Sequence, residues 1–459
     1  MTRLNAKLGK NSSNSSKPPS SDSPRSGAET AKKKADKNAA KRKRKGKRKA
    51  RKRGGQPGHP RHERALVPLS EVSEIHPVKP TRCKCCNRRV WGKDSEPVRH
   101  QVFELPRVIP IVEEWQLHAL GCGHCGTVTR AALPDGVPTG AFGPRVQAVV
   151  AVAGGVYRMS KRTIQGFMAD VYGLSLSLGM VSKLEQIAAK AIARPVADAH
   201  EHVRNAPIVS ADETSWREAK KKAWMWLAAT ATVAVFLIRD SRAATVAKEL
   251  LGESFSGLLV TDRYAAYNFV DSERRQVCWS HLLRDVEAFR AYGRNGERLA
   301  DEIQNPAQIL IGYHNRVRDG TMTRQDFARK AKRHRVAIEG AVARGRGFSR
   351  REISGVCKEI YKLRAALFTF VEHEGVEPTN NHVERLIRHA VIWRKLSFGT
   401  DSPRGSRFVE RMLSVVMTLR LQRRHVLDYM TAACRAQLDS REPPSLLPAA
   451  SEAALAKAA

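Results

Sequence analysis

Three carboxylates carry the chemistry that this chain offers: Asp212, Asp262 and Glu384. Each aspartate closes a short apolar run of strand character, Ile208-Val209-Ser210-Ala211-Asp212 and Leu258-Leu259-Val260-Thr261-Asp262. The glutamate lies in an amphipathic helical stretch, Asn381-His382-Val383-Glu384-Arg385-Leu386-Ile387-Arg388. Carboxylates at the ends of two neighbouring strands, joined by a third from a packed helix, converge at one edge of a sheet. Such a cage suits Mg2+, which prefers hard oxygen donors and keeps several waters. Two such ions about 4 Å apart clamp the attacking and leaving oxygens of an in-line phosphoryl transfer. Taken singly, each acid also has a plainer reading. Either aspartate can start a turn or cap a helix, and Asn381 with Glu384 has the spacing of a capping box. If Glu384 is only a cap, Glu377 and Glu213 are the next acids to consider.

The surrounding pattern supplies elements to hold these acids. Residues 203–290 alternate strands with helices. Strands are expected at 207–212, 223–230, 233–239, 257–262 and 275–279, with a helix at 243–251. A long helical region follows over about 282–375. Leu299, Ile303, Leu310 and Tyr313 share one helix face there, and Ile360, Leu363, Leu367 and Val371 share another. The Glu384 helix comes next, then a helix near 408–422. Upstream, Phe142–Val156 is apolar and Ala-rich. Ser160 opens a second helix with Ile164, Phe167, Met168 and Val171 at helical spacing; Gly173 breaks it and Leu178 begins a third. Helix, glycine-containing turn, helix suits a helix-turn-helix reader of DNA. A plain helical bundle has the same pattern.

Cysteines add a second centre. Cys83 and Cys86 have CxxC spacing, as do Cys122 and Cys125. Two such knuckles offer four thiolates, the ligand set of a closed structural zinc site. The stretches 98–104 and 111–118 are expected to pair as a hairpin that brings the knuckles together. Cys85, His118 and His124 remain alternative ligands. Cys357 and Cys434 sit in apolar helices and read as core. Clustered cysteines in a chain without a secretory pattern indicate metal rather than disulfides.

Charge indicates the partner. The 459 residues, enough for two or three domains, carry a formal charge of +36, which favours a polyanion. Residues 1–64 hold 22 Lys and Arg against 4 Asp and Glu, half of that excess. Asn11–Asp22 is low in complexity, and Lys41, Arg42, Lys43, Arg44 and Lys45 open an almost wholly basic run. Neither can bury a core, so residues 1–64 are expected to be a disordered arm. Its cations suit phosphate tracking without sequence preference; a solubilising tail is the alternative. Met1–Lys10 has no apolar segment of the secretory type. The longest uncharged run, Ala223–Ile238, has 16 residues and is short for a membrane span. A bacterial-type cytoplasmic protein with no membrane partner is expected. The Ala-rich end, 449–459, is expected to fray.

The neighbours of the three acids sharpen the reading. Asp212 sits in Ala211-Asp212-Glu213-Thr214-Ser215-Trp216, followed by Lys222-Ala223-Trp224-Met225-Trp226-Leu227. Asp262 sits in Thr261-Asp262-Arg263-Tyr264-Ala265-Ala266-Tyr267, with Cys278-Trp279-Ser280-His281 beyond it. Glu384 sits in Asn380-Asn381-His382-Val383-Glu384-Arg385, continuing to Trp393-Arg394-Lys395 and Ser397-Phe398-Gly399. Together with Asn11–Asp22, Gly54-Gly55-Gln56-Pro57-Gly58-His59 and Phe142-Gly143-Pro144-Arg145, these segments resemble the insertion sequence 66 family of bacterial transposases, in that family's order, from about residue 9 to 435. One departure is that no heptad run precedes Asn11, where members of that family often carry a coiled coil.

The resemblance implies a DDE-type transposase. The fold it implies is multidomain α/β: a basic arm at 1–64, a zinc-finger-like module at 65–135 and a helix-turn-helix-like segment at 136–202. A ribonuclease-H-like mixed sheet at 203–400 follows, with a helical insertion at 282–375, then a C-terminal helix and tail at 401–459. Asp212, Asp262 and Glu384 would hold two Mg2+ or Mn2+ ions, and Cys83, Cys86, Cys122 and Cys125 one structural Zn2+. Water would cut a phosphodiester at the element's terminal inverted repeats, and the freed 3′-OH would attack target DNA. Trp393, Arg394 and Lys395 would place flanking DNA by stacking and phosphate contact, unless Trp393 is core. Double-stranded DNA, further copies of the chain on that DNA and small accessory proteins encoded by the element are the implied partners. Cys278 and His281 match a neighbouring motif of the family and are expected to support the site from behind. Two rivals use the same residues differently: a structure-selective nuclease without strand transfer, and an inactive DNA-binding descendant.

Overall fold

The computed structural model describes residues 64–448. Residues 1–63 of the expected arm, including Lys41 to Lys45, and the Ala-rich end lie outside the described residues. Contacts divide the chain into two compact units, Met1–Leu105 and Pro106–Ala459. The division falls inside the stretch 65–135.

In the first unit a 3-10 turn spans Leu69–Glu71. An isolated antiparallel bridge pairs Arg82 with Arg89 around a tight turn.

The second unit begins with a small antiparallel hairpin, β1 (Ala119–Gly121) with β2 (Val128–Arg130). The stretches 98–104, in the first unit, and 111–118, in the second, expected as strands, form no ladder strand. Almost all of their side chains are exposed on both sides. No buried face fixes a register for them.

Four helices follow: α1 (Pro144–Gly155), α2 (Lys161–Tyr172), α3 (Leu178–Ala191) and α4 (Ala193–Arg204). Local sequence sets their limits. The Ser160 hydroxyl accepts from Thr163 N and caps α2, and the Ser177 hydroxyl accepts from Met180 N and caps α3. Gly173 ends α2 at a φ of 65°, where a side chain would be strained. Ala148, Val150, Ala151 and Val152 bury α1 on several faces. At Gly154 a Cβ would lie 2.6 Å from Glu185 Oε1 on α3, so any side chain there would displace that carboxylate.

The central sheet has five strands in the order β5-β4-β3-β6-β7: β3 (Ile208–Glu218), β4 (Lys221–Ala229), β5 (Ala234–Arg239), β6 (Leu258–Thr261) and β7 (Arg275–Val277). The first three form an antiparallel meander, while β3, β6 and β7 run parallel. Helix α5 (Ala244–Leu251) connects β5 to β6. Strand β3 runs six residues beyond the expected end at 212 because Ala219 and Lys220 both take positive φ, 48° and 64°. That two-residue turn lets Glu218 pair with Lys221 and carries the ladder outward. Asp212 therefore lies within a strand rather than at its end.

Beyond β7, α6 (Trp279–Glu287), α7 (Arg294–Arg318), α8 (Arg324–Gly345) and α9 (Arg351–Lys362) build a helical region. Leu299, Ile303, Leu310, Phe327, Ile338 and Ile360 form its core, continuous with Val260 and Val277 of the sheet. Then come α10 (Asn381–Ser397), α11 (Pro403–Leu421) and α12 (Val426–Leu438). Helix α11 closes the free edge of β5. Glu410, Ser414 and Thr418 accept from the backbone N–H groups of Ile238, Phe236 and Ala234 at 2.5, 2.9 and 3.0 Å. Two strand residues rise about 6.6 Å and four helix residues about 6.0 Å, so the two repeats stay in step. A sheet edge that would otherwise invite pairing with another chain is thereby satisfied.

Candidate active site

The register of the parallel strands brings the first two acids together. Ser210 pairs with Val260, and Thr261 pairs with Val277. Extended toward the carboxyl ends, those pairings set Asp212, Asp262 and Cys278 abreast on three adjacent strands, about 4.8 Å from strand to strand. Ligands of open α/β sheets bind at this end of the strands.

Asp212 is half-buried, and its Oδ1 accepts from Glu213 N at 2.9 Å. Burial, together with the acids Glu213, Asp262 and Glu384, pushes its pKa up to about 7. Asp262 Oδ1 accepts from Tyr264 N at 2.8 Å, which fixes the loop after β6. A buried cation holds that loop from below. Arg275 donates to Thr261 Oγ1 at 3.0 Å, Asn268 Oδ1 at 2.8 Å and the Asp262 carbonyl at 2.8 Å. It is 1% exposed, and burial lowers its pKa to about 10. Sequence reasoning missed Arg275; its signal was a charged pair, Arg274-Arg275, opening a three-residue strand.

Glu384 arrives on the first turn of α10. The residue before that helix, Asn380, is fully buried and makes no side-chain cap. Its amide donates to the Ala211 carbonyl at 2.9 Å, and its backbone N–H donates to Cys278 Sγ at 3.1 Å. Asn380 thus ties the start of α10 to the residue before Asp212 and to the residue beside Asp262. The capping-box reading of Glu384 fails here. Its Oε1 is enclosed and accepts no hydrogen bond; it pairs with His281 Nδ1 at 3.6 Å when that imidazole is protonated, and that nitrogen has no hydrogen bond either.

The fallback acid Glu213 is committed elsewhere. Successive strand residues face opposite ways, and Glu213 turns into the core. There it pairs with Arg242 at 2.5 Å and accepts from Tyr267 Oη at 2.6 Å.

These features fit a divalent cation. Three acids press on Asp212 without a countercharge, and Glu384 Oε1 is buried without a hydrogen bond. Among the described residues, the trio of metal-type donor atoms that closes to within 4.8 Å is Cys278, His281 and Glu384. The three carboxylates Asp212, Asp262 and Glu384 do not form so tight a set. His281 carries an elevated pKa of about 9, raised by Cys278 first and by Glu384 and Asp262 as well.

Of the residues expected at DNA, Arg394 is anchored to the Ser215 carbonyl and hydroxyl on β3, and Lys395 is exposed. Trp393 is 7% exposed and packs edge-on against Phe408, with centroids 6.4 Å apart. It belongs to the core and cannot stack on a base.

The two cysteine knuckles share one backbone geometry. Cys83 N donates to Arg88 O at 2.8 Å and Asn87 N to Cys83 O at 3.0 Å. Cys122 N donates to Thr127 O at 2.9 Å and Gly126 N to Cys122 O at 2.8 Å. Asn87 and Gly126 hold the same left-handed position, at φ 57° and 74°. Hydrogen bonds from Cys86 lower the Cys83 thiol, and those from Thr127 lower the Cys125 thiol. Among the described residues, no helix is long and apolar enough to cross a membrane.

Residues 139–407 match the family model described as "Transposase IS66 family". No curated protein matches the chain.

Proposed function

The chain belongs to the IS66 transposase family, and on that premise we propose that it cuts and joins DNA at a carboxylate site formed by Asp212, Asp262 and Glu384. The observation that carries the reading is the strand register that, extended by two residues, sets Asp212 beside Asp262, with Glu384 near enough to raise the Asp212 carboxyl. The sheet order and strand directions support a ribonuclease-H-like core, and the helices between β7 and α10 correspond to the insertion. Two Mg2+ or Mn2+ ions held by these acids would supply the clamp on the attacking and leaving oxygens.

The protein's own work is positioning. Arg275 fixes the Asp262 loop and Asn380 fixes the Glu384 helix, so the acids are set before DNA arrives. Water hydrolyses the phosphodiester at an element end, and the released 3′-OH displaces a 3′-oxygen in the target strand. Strand β3 anchors Arg394, which with Lys395 offers charge to the backbone of flanking DNA. Cys83, Cys86, Cys122 and Cys125 are proposed as the ligands of one structural Zn2+; the repeated knuckle geometry supports each CxxC as a pair of ligands, and Cys85 then lies at the place of His124 in the other knuckle. Helices α2 and α3 read the terminal inverted repeats, and the arm with Lys41 to Lys45 tracks phosphate. The protein works as a homo-oligomer on DNA in the bacterial cytoplasm, with element-encoded accessory proteins as further partners.

A strand-transfer assay with labelled, pre-cut ends tests this. Wild type should join ends to target, while Asp212→Asn, Asp262→Asn and Glu384→Gln should bind ends and neither cut nor join. Cutting without joining by wild type would make the protein a nuclease. Near-normal joining by Glu384→Gln would remove Glu384 from the site.

A further inference from the structure

The carboxylate site leaves two neighbouring side chains without a role. Cys278 is completely buried where β7 passes into α6, and His281 stands one turn further on. Their Sγ and Nδ1 atoms and Glu384 Oε1 lie within 4.8 Å of one another. Cys278 Sγ accepts the Asn380 N–H at 3.1 Å, which fixes the position of the sulfur. His281 Nδ1 and Glu384 Oε1 face each other at 3.6 Å, close to the edge of a tetrahedron around a metal about 2.1 Å from each ligand. Neither atom has a hydrogen bond.

The donor types choose the metal. Mg2+ takes oxygen and has no use for a thiolate or an imidazole. Thiolate, imidazole and carboxylate together suit a borderline-soft ion of the Zn2+ class. The side chains of His281 and Glu384 are 30% and 31% exposed while their donor atoms are enclosed, so an ion enters as these two side chains turn, and Cys278 closes the back. Three protein donors leave the fourth position to solvent.

We propose that Cys278, His281 and Glu384 form a binding site for a thiophilic divalent cation of the Zn2+ class, and that this site shares Glu384 with the Mg2+ site. The competition rests on the reading of Glu384 as the third catalytic carboxylate. One carboxylate cannot serve both centres at full strength, so zinc bound here draws Glu384 toward Cys278 and weakens Mg2+ or Mn2+ binding at Asp212 and Asp262. Zinc availability then restrains the transposase.

The test uses the full chain without DNA. Protein is stripped of metal, reloaded with Zn2+ or Co2+, and compared with Cys278→Ser and His281→Ala. Serine keeps an acceptor for the Asn380 N–H, and His281 is half-exposed, so the two variants disturb the fold in different ways. Each should hold about one zinc ion fewer per chain than wild type and lose sulfur-to-cobalt charge-transfer absorption. Cys122→Ser should lose a different equivalent and leave that of Cys278 in place. In a second arm Mn2+ binding is followed by paramagnetic resonance. Zinc should weaken Mn2+ binding about tenfold in wild type and leave His281→Ala unaffected. Equal zinc content and equal cobalt spectra in wild type and His281→Ala would overturn the site. Zinc binding without any effect on Mn2+ would overturn the competition. Metal counting needs no turnover, so failure of the transposase reading would show in the strand-transfer assay while the zinc count stood.

Discussion

Replacing Asp212 by asparagine should make the metal-free protein more stable above neutral pH while abolishing its chemistry. An unfolded aspartate titrates near 3.8, and burial beside Glu213, Asp262 and Glu384 raises Asp212 to about 7. Below the unfolded value both states are protonated and nothing is lost. Between the two values the unfolded chain is ionised while the folded chain still holds its proton, so stability falls as pH rises. Above the folded value the full cost stands. That interval corresponds to about 4 kcal/mol, and solvent reaching a half-buried carboxylate reduces it to roughly 2 kcal/mol. Asparagine keeps the oxygen that accepts from Glu213 N and carries no charge. In EDTA, Asp212→Asn should therefore melt about 3 °C above wild type at alkaline pH, with the gap shrinking steadily toward about pH 4. Saturating Mg2+ should stabilise wild type and leave the variant unmoved, closing or reversing the gap. Thermal melts across pH, with and without Mg2+, read all of this. A variant less stable than wild type in EDTA at alkaline pH, or a gap independent of pH, would refute the view that uncompensated charge at Asp212 awaits a cation.

Three other perturbations probe the supports. Asn380→Ala removes the donor to the Ala211 carbonyl; an unsatisfied buried carbonyl costs about 2 kcal/mol, and loosening Glu384 should slow strand transfer up to about 100-fold, read by melting and by initial rates. Ser414→Ala strips the acceptor from Phe236 N on the β5 edge and should cost about 1–3 kcal/mol in chemical denaturation, with strand-transfer rates at low temperature unchanged. Deleting residues 1–53, which carry nearly half of the excess basic charge, should weaken non-specific DNA binding and flatten its dependence on salt; an unchanged slope would make the arm a solubilising tail.

The three acids, the strands that carry two of them and the helix that carries the third were legible in the sequence, because apolar runs of period two and amphipathic runs of period 3.6 are local signals. Helix limits at Ser160, Gly173 and Ser177 were legible or nearly so, since caps and left-handed stops are made by residues within a few positions of one another. The length of β3 was not, because it depends on a turn at Ala219 and Lys220 that carries no glycine or asparagine to announce it. The expected hairpin from 98–104 and 111–118 failed for the opposite reason: strand-like composition without a buried face sets no register. Trp393 looked equally fit for DNA or core until Phe408, on the following helix, covered it. Which acid is free was decided only in three dimensions. Adjacent residues on one strand face opposite ways, so Asp212 meets the other acids while Glu213 is spent on Arg242 and Tyr267. Arg275 and Asn380 likewise act through partners 7 to 14 and 102 to 169 positions away. Sequence displays side chains that can do chemistry; long-range hydrogen bonding determines which of them are left unsatisfied and therefore able to do it.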